Sequence, residues 1–273
     1  LKPQIEKFDS IFGAWVLGAP EGLDGVPGPT TADATLGINA AGQFTPYFTR
    51  SDSGVTLIVP DAVNFDEPYY ANVAATLKSA VTEPYAESTV GGMLMMSVTQ
   101  PILVDGSLRG VVGVDVGLDS LSNLVKDQRP FGSGSVYLMS AGGKWLAAPD
   151  EAMLLQGYDA SVETGTLSAD AQAVQAALRS GTTTILPNVT GAGGESVYRV
   201  VHPFVLAGLN TQWAIIEDVP VAVISAVVDQ QTQMLVIGDP HLCATPHAIA
   251  AQRSRAPVRR PAGNPHYRAA ARR

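Results

Sequence analysis

One acidic residue in this chain sits where a fixed charge would be useful. Asp115 closes the run Gly110-Val111-Val112-Gly113-Val114-Asp115. Two apolar runs, 93–103 and 108–116, flank the dipeptide Asp105-Gly106, and Asp-Gly between strand-like runs predicts a tight hairpin. Side chains alternate along the second strand, so Arg109, Val111, Gly113 and Asp115 share one face. Gly113 leaves space beside the carboxylate, which suits a pocket floor carrying one negative charge. The plainer reading is that Asp115 only ends a strand before a helix.

Enzyme chemistry lacks its usual residues. The body of the chain has a single histidine, His202, in a strand rich in Val and Phe, where a lone histidine is structural. It contains no Gly-x-Ser-x-Gly elbow, no His-Glu-x-x-His pair and no phosphate loop. Gly191-Ala192-Gly193-Gly194 does not lie between a strand and a helix of a βαβ unit, so it reads as a hairpin turn. Cys243 is the only cysteine, which removes disulfide and thiolate-metal frameworks from the body. No catalytic function and no cofactor are expected. Paired carboxylates need only proximity in space, so a secreted hydrolase is kept as an alternative from another class, and a purely structural dimerisation module as a third.

The elements that would position Asp115 follow from local pattern. Residues 11–19, 43–49 and 55–59 read as strands. In the first, Ile11, Trp15 and Leu17 share a face, and Trp15 reads as core rather than as a ligand contact. Pro68 opens a short helix to Ala80, and Asp119 is a fitting N-cap for a helix carrying Leu121, Leu124 and Val125 on one face. The Pro- and Gly-rich segment 129–134 marks a boundary. Beyond it, strands at 135–140 and 144–147, a helix at 169–179, and strands at 182–186, 195–205 and 211–219 repeat the same alphabet. Strands and helices segregated in this antiparallel way give the α+β class.

Net charge is −8, but it is divided unevenly. Residues 1–236 hold 10 Lys and Arg against 24 Asp and Glu, whereas residues 237–273 hold 7 Arg and one Asp. The tail 238–273, rich in Arg, Ala and Pro, cannot bury a core and is expected to be disordered. No signal peptide is visible in LKPQIEKFDS, and no uninterrupted apolar stretch is long enough to span a bilayer. Any membrane attachment is therefore expected to come through spans absent from this chain.

Several of these motifs together are similar to the double Cache sensor domains of bacterial methyl-accepting chemotaxis receptors. The likeness is carried by Glu83-Pro84-Tyr85, by Ser97-Val98-Thr99-Gln100-Pro101-Ile102 and by the Asp115 run with Leu118 and Leu121. It extends to GQFTPYFTR at 42–50, to Tyr69-Tyr70 and to FGSGSVYLMSAGGKWLAAPD at 131–150. The resemblance implies two stacked PAS-like modules, each a mainly antiparallel sheet flanked by helices. They would comprise a membrane-distal, ligand-binding module at 1–129 and a membrane-proximal one at 130–219. Residues 220–237 would be a helix leading toward a second membrane span. The long N-terminal helix of the family would be largely missing, and the tail 238–273, where the likeness stops abruptly, would be non-native. The implied setting is the periplasmic part of an inner-membrane receptor, homodimeric in its full form, with a small-molecule ligand (an amine, an amino acid or a small carboxylate) and no nucleic-acid partner. A chemoreceptor output cannot be told from a histidine kinase or a diguanylate cyclase.

Family members that bind amino acids carry Arg-x-Trp-Tyr at the start of the first helix and an Asp on the later strand. Here Tyr69 and Tyr70 take the aromatic places and Asp115 that of the Asp, but Glu67 stands where the Arg would be. Glu cannot receive a carboxylate as Arg does. Aromatic rings with carboxylates favour a cationic amine, through charge pairing and cation-π contact. A zwitterion stays open if Arg50 reaches the site from its strand, with Tyr47 and Ser97 as weaker candidates. Tyr69 and Tyr70 also fit ordinary amphipathic packing.

Overall fold

The computed structural model describes residues 1–25, 31–51, 54–158, 168–209 and 211–237. The tail 238–273, expected to be disordered, lies outside the described residues. Residues 1–224 form one compact unit.

Along the chain come α1 (Lys2–Lys7), β1 (Ile11–Gly18), β2 (Tyr47–Ser51), β3 (Gly54–Ile58) and α2 (Pro68–Thr76). Then follow β4 (Ala80–Val81), β5 (Tyr85–Glu87), β6 (Met93–Val104), β7 (Ser107–Gly117) and α3 (Leu118–Val125). The second half holds β8 (Ser135–Met139), β9 (Trp145–Ala147), α4 (Ala169–Ser180), β10 (Thr184–Thr190), β11 (Ser196–Leu206), β12 (Thr211–Pro220) and α5 (Val221–Ile237). The first sheet runs β3-β2-β1-β7-β6-β4, with β5 also paired to β6, and the second runs β10-β11-β12-β8-β9. Every ladder is antiparallel, as the α+β reading requires.

The hairpin joining β6 and β7 turns at Asp105 and Gly106, both at positive φ, 52° and 77°. That is the geometry for which Asn, Asp and Gly are selected at two-residue turns. Beyond the turn a β-bulge leaves Arg109 as an extra residue between the Leu103–Leu108 and Ile102–Gly110 pairs, and this shift brings Ser97 opposite Asp115 and Thr99 opposite Gly113. On the other side of β7, Gly13 faces Asp115 and Trp15 faces Gly113.

Some boundaries differ from expectation. The strand expected at 43–49 begins only at Tyr47, because Asn39 and Phe44 are held in local turns and bridges before it. Helix α2 stops at Thr76, where Leu77 takes a left-handed conformation at φ 52°. Asp119 is not the N-cap of α3; Gly117 is, and Asp119 lies in the first turn, where a negative charge still suits the helix dipole.

Each sheet buries its front face under its own helix. Trp15, Leu17, Tyr47 and Val111 pack with Tyr70 and Val73 of α2. In the second sheet Tyr137, Met139, Val201, Ala214 and Ile216 pack with Val174, Ala177 and Leu178 of α4. A third cluster joins the sheets: Met96, Val98 and Val116 from the back of the first meet Leu118 and Leu121 of α3, then Leu138, Leu146, Phe204 and Trp213 of the second. Among the described residues, no helix is long and apolar enough to cross a membrane.

Candidate functional site

The front face of the first sheet is not fully covered. Between β1, β2, β5, β7, the segment 60–63 and the start of α2 lies a cavity of ≈ 100 Å³. Asp115 lies on its wall and is only 2% exposed. Aromatic rings make up much of the rest: Trp15, Tyr47, Tyr69 and Tyr85, with Glu87 as a second carboxylate. Among the described residues lining it, none is Lys or Arg.

Neutral donors hold the Asp115 carboxylate. Trp15 Nε1 donates to Oδ1 at 3.0 Å, and Ser97 Oγ donates to the same oxygen at 2.6 Å. Ser97 Oγ also shares a hydrogen bond with Tyr85 Oη at 2.6 Å, and the Ser97 amide donates to Thr82 Oγ1 at 2.9 Å. Burial pushes the Asp115 carboxyl above its ordinary range, while the Ser97 and Trp15 donors pull in the opposite direction. Burial and the nearby Glu87, Glu67 and Asp115 charges push the Tyr69 hydroxyl up to about 12, and burial with the Asp115 charge raises those of Tyr47 and Tyr85. All three phenols are therefore neutral at physiological pH.

Two glycines make this arrangement possible. A Cβ on Gly113 would stand 2.2 Å from the Trp15 ring, and one on Gly13 would stand 2.5 Å from Tyr47 Oη. Glycine inside a strand commonly marks such a close approach. The space beside Asp115 expected from Gly113 is thus real but filled: the Trp15 indole lies in it and turns its N–H to the carboxylate. One buried hydroxyl of the lining, Thr45 Oγ1, has no hydrogen-bond partner among the described residues, while Tyr47 Oη lies close enough to the Asp115 carboxylate to help hold its pKa down against burial.

The six residues singled out in the sequence separate into three groups. Asp115, Tyr47 and Tyr69 meet on the cavity wall. Ser97 is fully buried just behind it, orienting Asp115. Tyr70 and Arg50 do not reach it. Tyr70 turns into the core, its ring 4.7 Å from Phe65 in an edge arrangement, because the next residue along a helix points about 100° away. Arg50 is spent on the first helix: its Nη2 donates to the carbonyls of Ile5 and Phe8 and lies 3.8 Å from Asp9. Glu67 is exposed at the N-cap of α2 and accepts from Asn64 Nδ2 at 3.2 Å. Trp15, Tyr85 and Glu87 were not among the six. The pairing of Trp15 with Gly113 across β1 and β7 places its ring on the Asp115 face, which alternation along β1 alone does not reveal.

A two-sheet ligand-sensing domain is the class that this fold and cavity define, and comparison with known proteins agrees. Residues 27–123 match the first PDC sensor domain of methyl-accepting chemotaxis protein-like proteins. The methyl-accepting chemotaxis protein PscA of Pseudomonas syringae pv. tomato is 32% identical over 131 residues, which are 45% of this chain and 20% of that protein. The chain thus spans about a fifth of that curated relative. The solved structure of methyl-accepting chemotaxis protein X is similar with a TM-score of 0.68 at 35% identity, covering 81% of this chain and 78% of that one. The periplasmic sensory domain of the Campylobacter jejuni chemoreceptor Tlp1 shares the fold, with a TM-score of 0.63 at 13% identity, 82% of this chain and 77% of that one. The chain belongs to the PDC, or Cache, sensor domains of methyl-accepting chemotaxis proteins.

Proposed function

We propose that this domain senses a small cationic amine outside the cytoplasm, on behalf of a transmembrane chemoreceptor. In this reading residues 1–129 are the membrane-distal, ligand-binding module and residues 130–219 the membrane-proximal one. One observation carries it: the buried Asp115 carboxylate faces an aromatic-walled cavity with only neutral donors around it. An unpaired buried charge is costly, so the site favours an occupant that brings the missing positive charge. Tyr69, Tyr85, Tyr47 and Trp15 would give that cation ring faces to rest on. A carboxylate-bearing ligand is less well served, because Glu87 and Asp115 repel it and Arg50 is committed to α1.

Signalling needs more than binding. A ligand shifts a receptor only as far as it prefers one of two arrangements. Closure of Tyr69 and the segment 60–63 over the amine would supply that preference. The same fold occurs in the extracellular domain assigned to a histidine kinase, at 22% identity and a TM-score of 0.67, so the fold alone leaves the output domain open.

The test is a thermal-shift screen of the whole chain against primary, quaternary and polyvalent amines, amino acids and dicarboxylates. Specific binding to the folded state raises the melting temperature. A rise with amines and none with dicarboxylates is the expected result. A rise with dicarboxylates alone would overturn the assignment.

A further inference from the structure

We infer that Glu83 is the positioning residue through which the cavity of the first sheet is tied to the second. It lies two residues before Tyr85 and four before Glu87, on the segment that brings both to the cavity wall. Its carboxylate does not face that cavity. It reaches across to the turn between β8 and β9, where Ser140 Oγ donates to Oε2 at 2.5 Å and the Gly142 amide donates to Oε1 at 2.8 Å.

The turn is built to receive it. Ser140 is fully buried, and its hydroxyl also accepts from the Lys144 amide at 3.0 Å. A Cβ at position 142 would stand 2.7 Å from the Glu83 carboxyl, so any side chain there would have to push the carboxylate aside. Both bonds go to an ionised acceptor, which makes them stronger than neutral ones.

On its other side Glu83 is one peptide from the Asp115 network. The Thr82 amide donates to the Ser97 carbonyl at 3.0 Å, the Ser97 amide returns to Thr82 Oγ1, and Ser97 Oγ holds Asp115 Oδ1. An unbroken series of hydrogen bonds and one covalent step thus runs from the cavity wall to the second sheet. The apolar cluster shared by the two sheets lies alongside it but has no directional contact with Asp115. A change in the charge or position of Asp115 therefore reaches the 140–144 turn through Glu83. This rests on the cavity being the input site, but its test needs no ligand.

The experiment is hydrogen exchange by NMR at the Gly142 and Lys144 amides in the full chain. Glu83→Ala alone should speed Gly142 exchange roughly tenfold or more, from the loss of a charge-assisted bond. Asp115→Asn, which neutralises the cavity wall at constant shape, should change exchange at both amides by about threefold or more when Glu83 is present, and should leave them unchanged in the Glu83→Ala background. Ser140→Ala removes one of the two bonds from the other sheet and should shrink the Asp115→Asn effect at Gly142 without abolishing it, which guards against a Glu83 variant that does not fold. An Asp115→Asn effect of equal size with and without Glu83, or none in either, would overturn the inference.

Discussion

The two sheets carry the same acidic position, treated in opposite ways. Asp115 lies on β7 three residues before α3 begins, and Asp218 lies on β12 three residues before α5 begins. Each carboxylate is on its sheet's front face, and each is 2% exposed. The difference lies on the neighbouring strand. Opposite Asp115 stands Ser97; opposite Asp218 stands Arg199. Arg199 grips Asp218 with two bonds, Nε to Oδ1 at 2.6 Å and Nη2 to Oδ2 at 2.5 Å. It also donates to Tyr158 Oη and lies 5.2 Å from that ring's centre. The second sheet thus supplies its own cation, set against an aromatic face. The first presents a carboxylate and aromatic rings without one, and the contrast shows what kind of occupant its cavity suits.

The comparison can be broken most forcefully at Arg199. Arg199→Ala leaves Asp218 buried without its partner and should destabilise the domain by about 3–5 kcal/mol, read from urea unfolding. Removing Asp115 should do the reverse to the balance of stability and function. Asp115→Ala should abolish amine binding, while circular dichroism and the melting temperature show a folded domain. Next in size is Gly113→Ala, whose Cβ would strike the Trp15 ring; it should cost about 1–3 kcal/mol and weaken binding by turning the indole N–H away from Asp115.

A substitution that copies the second sheet sharpens the contrast. Ser97→Arg should place a guanidinium beside Asp115 and close the first site to amines, and a thermal-shift titration reads the loss. The mildest effect is on pH dependence. Because burial holds the Asp115 carboxyl above its ordinary range, the unfolded chain releases that proton first as pH rises. The share of stability due to Asp115 is therefore fully present below the ordinary carboxylate range and is lost as pH rises through the folded-state value. Amine affinity should move the opposite way, rising about tenfold per pH unit until the folded carboxyl is ionised. Asp115→Asn should flatten the stability profile.

Much of this architecture was legible because local chemistry and tertiary structure agree. The Asp105-Gly106 turn, the alternation that puts Asp115 on the front face and the Pro68 helix start all follow from short-range rules. The site was only partly legible, since cavity walls are assembled from distant strands. Tyr85 and Glu87 come from a three-residue strand too short to signal itself, and Trp15 reads as core until Gly113 is known to face it. Tyr69 and Tyr70 are adjacent and alike, and only the helix phase decides which one faces the cavity. Arg50 was misplaced for a similar reason: its strand position is near the site, but the carbonyls ending α1 capture its guanidinium.

The most direct measurement is an isothermal titration of the amine giving the largest thermal shift, into the wild-type chain and into Asp115→Asn. The account predicts saturable binding to the wild type and a loss of at least about thirtyfold in affinity when the charge is removed at constant shape. Equal affinity for the two proteins would contradict it, and would mean that Asp115 is a structural hub rather than the counterion the cavity offers.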